Sequence, residues 1–231
     1  MSLLGKVQEL INPTPIEDKY QELLRRAYEE ILKPLGFKKD GQNFRQIAPD
    51  GLGKIVNFRK DKWNQKGRRL GFLIYTGVYF EPEPAIKNRK FKEYDCQIRS
   101  TGDNPTPTDI YGKKGEEFSY NKQFWYIFKR TDMEAMYQDL KQSMQEVLNW
   151  FGHFESRQST IDMILDGTVQ QYSHTIVMHY STAKMLAEMG YQAQVYEQIK
   201  DTRTTFPQAW SVIRLAEDLE KELGLEEEKS P

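Results

Sequence analysis

Apolar residues first recur at Ile16, Tyr20, Leu23, Leu24, Ala27 and Ile31, the spacing of one helix face. Thr14 and Glu17 form a capping-box pattern before this stripe, with Pro15 suited to the first helical position. Pro34 and Gly36 end it. The period then drops to two. Strands are predicted over Asn43–Ile47, Lys54–Lys60, Leu70–Phe80, Asp95–Ser100 and Phe124–Lys129, with Pro49-Asp50-Gly51 as a turn and residues 61–68 as a polar loop. In the longest strand Phe72, Ile74 and Val78 share a face and are expected to be buried against helices. Thr101–Lys114 is rich in Gly, Pro, Asn and Thr, so it reads as a long loop.

From Thr131 onward the pattern is helical. Thr131 and Glu134 make a second capping-box pattern, followed by a stripe at Met133, Met136, Tyr137, Leu140, Met144, Val147, Leu148 and Phe151. Further helices are predicted from Ser159 to Gly167, over Val169–Met189, over Gln192–Lys200 and over Pro207–Leu223. The fold class that follows is α+β: a mostly antiparallel sheet of four to five strands packed on helices, with a helical C-terminal region. The expected organisation is an α+β domain over 12–155, a helical extension over 156–225 and an acidic tail over 226–231.

A chain of 231 residues buries about 70% of its unfolded surface, so neither a disulfide nor a metal is required for stability. The single cysteine, Cys96, excludes an internal disulfide and fits a reducing cytoplasm, where it is expected to pack as a small apolar side chain. No apolar run has the length of a signal-peptide core or a membrane span, so a cytoplasmic protein with no membrane association is expected. The net charge of −1 conceals an asymmetry: Lys33–Lys92 holds 15 Lys and Arg against 5 Asp and Glu, whereas Glu93 to the end holds 14 against 23. Such a split predicts a basic face and an acidic helical region, the plain alternative being halves that neutralise each other where they pack or simply face water.

No reaction chemistry stands out. His174 and His179 are five residues apart, on different faces of a helix, whereas a zinc pair needs a spacing of four. No nucleophile elbow, Cys–His pair or dinucleotide fingerprint is present, and Gly112-Lys113-Lys114-Gly115 lacks the Ser or Thr of a phosphate loop. No metal or cofactor is expected. An enzyme assembled from distant positions stays open as an alternative. The remaining signal lies in residues 57–69, where six Lys and Arg surround Trp63. Cations neutralise phosphates or carboxylates, and an indole stacks on a base or anchors a protein interface. The candidate binding residues are Arg59, Lys60, Lys62, Trp63, Arg68 and Arg69. The plain alternative is a solvated hairpin whose cations pair with acidic helices.

Several short motifs carry a resemblance: Leu32-Lys33-Pro34-Leu35-Gly36-Phe37-Lys38-Lys39, then Asn57-Phe58-Arg59-Lys60, Gly77-Val78-Tyr79-Phe80, the strand around Cys96-Gln97-Ile98-Arg99, and Trp125-Tyr126 before the helix from Asp132. In this order they resemble an uncharacterised bacterial family catalogued as a domain of unknown function, over roughly residues 16–155. The resemblance implies the helix–meander–helix order and supplies no catalytic set. The expected function is therefore a non-enzymatic cytoplasmic protein-interaction module of immunity or accessory type, with a protein partner. Nucleic-acid binding through hairpin 57–69 is the alternative.

Overall fold

The structure, a computed structural model, describes residues 15–103, 124–173 and 178–224. Expectations placed on Thr14, on the loop beyond Asp103 with Gly112–Gly115, on His174 and on the tail 226–231 lie outside the described residues. Helix α1 (Ile16–Arg26) runs on through a π turn, Ala27–Leu32, and a 3-10 turn, Lys33–Leu35, and is closed by Gly36 at φ 84°. Ile16, Tyr20, Leu23, Leu24 and Ala27 are buried as the stripe predicts, but Leu32 rather than Ile31 completes the face. The π turn bonds i to i+5, so it advances the buried face by about one residue.

The sheet is antiparallel in its hairpins and the fold is α+β, as the sequence predicts. Its strands are β1 (Lys38–Asp40), β2 (Asn43–Ile47), β3 (Gly53–Lys60), β4 (Arg69–Tyr79), β5 (Ile98–Gly102) and β6 (Trp125–Phe128). The order is β1-β2-β3-β4-β5, with β6 also pairing β4, from Arg69↔Phe128 to Phe72↔Trp125. The strand beyond the expected set is β1, three exposed polar residues without any alternation to reveal them. Strand β5 starts at Ile98 rather than Asp95. Glu93–Asp95 instead forms a 3-10 turn in which the Asp95 carboxylate accepts from the Lys92 amide at 2.8 Å.

The chain divides into two compact units. One draws on Met1–Ile47, Lys54–Thr76 and Thr101–His153, the other on Ala48–Gly53, Gly77–Ser100 and Phe154–Pro231. In the first unit an aromatic ladder crosses the sheet from Tyr28 through Phe44, Phe58 and Phe72 to Trp125, with successive ring centroids 5.7, 5.6, 6.1 and 5.9 Å apart. Tyr20 of α1 joins it 5.4 Å from Phe72, and its hydroxyl donates to the Phe58 carbonyl at 2.7 Å. Helix α2 (Met133–Gly152) covers the same face, burying Met136, Tyr137, Leu140, Met144, Val147 and Phe151. Its cap is Asp132, whose carboxylate accepts from the amides of Glu134 and Ala135. The Thr131 hydroxyl is already committed, accepting from the Phe128 amide at 2.7 Å, so it closes the preceding turn instead of capping.

The second unit contains α3 (Arg157–Leu165), α4 (Tyr180–Leu186), α5 (Gln192–Thr205) and α6 (Trp210–Glu222). Helix α3 opens at Ser156, three residues before the expected start, because Ser156 and Ser159 cap each other's amides. The predicted helix over Val169–Met189 is not continuous. Thr168–Tyr172 is a 3-10 turn, and both Ser173 and His179 take extended angles. Serine competes for backbone bonds and so favours such breaks. Asp50 anchors this unit: its carboxylate accepts from Leu52 at 3.1 Å and from the Arg157 amide at 2.6 Å. Among the described residues no helix is long and apolar enough to cross a membrane.

Candidate functional site

Alternation in β3 and β4 sends Phe58 and Phe72 into the ladder and their neighbours to the opposite face. On that opposite face the Arg59 guanidinium sits 5.4 Å from the Tyr75 ring, and the Arg69 guanidinium 5.5 Å from the Tyr126 ring. Tyr126 stacks on Phe124 at 5.7 Å along the same side of β6. Arginines over half-exposed rings keep their charge in water while contributing about 0.5–1 kcal/mol of attraction each.

The β3–β4 connection is closed by backbone bonds between Gln65 and Arg69 at 2.9 and 3.0 Å, with Gly67 at φ 69° supplying the left-handed turn residue. Asn64 clasps Gly71 by accepting from its amide and donating to its carbonyl. Arg69 donates to the Trp63 carbonyl at 3.1 Å, so the tip is held by the residue that also stacks on Tyr126. Lys62 lies 5.1 Å from the Trp63 ring, and Trp63 is 69% exposed.

Of the six residues singled out by the sequence, Lys62, Trp63 and Arg68 project from this tip, and Arg59 and Arg69 stand on the aromatic face. Lys60 departs to the other side, 4.8 Å from the Tyr20 ring. Lys66, an exposed cation beside them, belongs to the same tip. Among the described residues Lys62, Lys66 and Arg68 form no ion pair with a carboxylate. The hairpin is thus a basic and aromatic projection whose tip is closed by hydrogen bonds, with the Asp61 carboxylate accepting from the Trp63 amide at 3.1 Å. No group of His, Cys, Asp and Glu suited to a metal occurs among the described residues.

A feature with no sequence signal lies in the second unit: a cleft of about 290 Å³ bordered by Tyr94, Cys96, Arg99, His179, Ser181 and Thr182. Its two arms are some eighty residues apart in sequence, so no local motif exposes it. Cys96 is buried there, as expected for a small side chain, with its thiol directed to the Lys92 carbonyl at 3.4 Å.

No curated protein and no solved structure matches this chain. One family model does, over residues 28–153, which take in all but the first residue of the π turn, all of the sheet and α2. That segment is more than half of the 231 residues. A match of that extent places the chain in the family described as Domain of unknown function (DUF4304).

Proposed function

We propose that this chain is a non-catalytic protein-interaction module that docks an acidic partner surface through the 59–69 hairpin. The observation that carries the reading is the tip itself: Trp63 is 69% exposed on a loop pinned by Asn64 and Arg69. Around it Lys62, Lys66 and Arg68 form no ion pair among the described residues. A large exposed indole on a hydrogen-bonded loop is the kind of anchor that dominates binding energy, and surrounding cations steer encounter. A reducing cytoplasm suits the reading, since the lone cysteine is buried.

The same cations beside an aromatic ring also suit a nucleic-acid backbone, and one experiment separates the two. The full chain, Trp63→Ala and the triple variant Lys62→Glu, Lys66→Glu, Arg68→Glu are used as bait in lysate of the source cell, with and without nuclease. Captured proteins are purified and rebound at several salt concentrations. Loss of one defined protein from both variants, insensitive to nuclease and retained at moderate salt, supports the module. A nuclease-sensitive partner with a steep salt dependence supports the nucleic-acid reading. Identical capture by all three baits rejects the hairpin as the docking surface. The triple variant keeps Arg69, whose bond to Trp63 shapes the loop, so folding is expected to stay within about 1 kcal/mol of the parent.

A further inference from the structure

Arg157 and Arg99, both in the second unit, have contrasting surroundings. Arg157 is consumed by structure: its guanidinium donates to the Glu81 carbonyl at 2.8 and 3.3 Å and also to the Pro82 carbonyl. Arg99, on the wall of the cleft, is not. One of its terminal nitrogens donates to Nε2 of His179 at 3.0 Å, and its Nε is buried with no partner among the described residues. Arginine has no acceptor, so the His179 ring accepts through Nε2 and carries its proton on Nδ1. Among the described residues the guanidinium therefore faces a neutral base rather than a carboxylate, and its Nε donor is unmatched. The Asp95 carboxylate, which also lines the cleft, accepts from the Lys92 amide at 2.8 Å and forms no ion pair with Arg99 among the described residues.

A planar fork with an unmatched donor suits the paired oxygens of a carboxylate or phosphate. Ser181 and Thr182 border the same space, as does Tyr94, which is 65% exposed. A volume of about 290 Å³ admits only a small molecule.

We propose that this cleft is a binding site for a small metabolite bearing an oxyanion, a carboxylate or a phosphate monoester, seated on Arg99. His179 forms the wall against which the guanidinium is set, and the Tyr94 ring meets the organic part. The site is independent of the basic hairpin and takes a different class of ligand.

The His179 ring reports occupancy directly. The full chain is titrated with inorganic phosphate and, separately, with acetate, while the imidazole resonances are followed by NMR. His179 is assigned through His179→Asn, and His153, exposed in the other unit, is the internal control. The expected result is a saturable shift at His179 with at least one of the two anions and none at His153. The anion that saturates identifies the headgroup class. Arg99→Gln should weaken that binding at least tenfold. If circular dichroism shows this variant unfolded, Arg99→Lys replaces it, because a point charge without the fork should still lose several-fold. The inference is overturned if neither anion gives a saturable shift at His179, or if the folded Arg99 variant binds as tightly as the parent.

Discussion

Phe72→Ala tests whether the aromatic ladder is the core of the first unit. Phe72 is fully buried, with ring centroids of Tyr20, Phe58 and Trp125 at 5.4, 6.1 and 5.9 Å. Truncating a buried Phe to Ala costs about 3–5 kcal/mol, the spread reflecting how far the site collapses. Here collapse is opposed from several sides. Trp125 is held in register opposite Phe72, and Tyr20 is tied to the Phe58 carbonyl. Three ring contacts vanish as well, each worth roughly 0.5–1.5 kcal/mol beyond area alone, though part of that is already inside the truncation figure. The upper end, about 4–5 kcal/mol, is therefore expected. With a urea m-value of about 2 kcal/mol/M, the midpoint should fall by roughly 2 M. Phe72→Leu retains most of the volume and should cost about 1 kcal/mol. Urea melts followed by circular dichroism supply both numbers. A loss below about 1.5 kcal/mol for Phe72→Ala at unchanged m would refute the reasoning, because the rings would then not share one close-packed site.

Three further outcomes follow from local geometry. Gly51 has φ 83°, and a Cβ there would lie 1.4 Å from the Pro84 carbonyl oxygen, whereas Gly41 at φ 61° has open space. Gly51→Ala should therefore cost more than about 3 kcal/mol in thermal melts, and Gly41→Ala only the backbone strain of about 1–2 kcal/mol. Asn64→Ala removes both bonds to Gly71 and should cost about 1–3 kcal/mol, with faster hydrogen exchange at the Gly71 amide. Burial, and after it the Arg99 charge, hold the His179 pKa below its ordinary 6.5. The unfolded ring protonates first, so stability falls as pH drops through about 6.5, and the fall ends once the folded ring is also protonated. His179→Gln should lose this contribution, seen as a parent-minus-variant stability difference that changes between pH 7 and pH 5.

Periodic burial was legible in the sequence wherever one element decided its own fate. Phe72, Ile74 and Val78 are all fully buried on one face of β4, as alternation requires. Features set by a second element were not. Ile31 and Leu32 exchange places because of a π turn that no single residue announces. Thr131 and Asp132 both have capping side chains, and only the Phe128 amide decides which is left to cap α2. In the hairpin the cluster of Arg59, Lys62, Trp63, Arg68 and Arg69 was visible from charge density alone. The pinning of its tip by Asn64, and the departure of Lys60 toward Tyr20, depend on strand pairing and parity. Arg99 and His179 were invisible as a pair, since β5 and the start of α4 meet only in three dimensions.

The composition of the second unit has a consequence for the order of synthesis. Gly77–Ser100 contributes Phe80, Ile86 and Phe91, all buried, but its companions in that unit include helices α3 to α6. Gln97 reaches the Met185 sulfur, and the Glu81 carbonyl is taken by Arg157. Translation at about 5–20 residues per second leaves the earlier segment waiting roughly 6–25 s for residues 154–224 to be made. During that interval Phe91 already has Tyr79, on which it stacks at 4.5 Å, whereas Gln97 and the Glu81 carbonyl are still without Met185 and Arg157, so these later partners are the ones that translation supplies last.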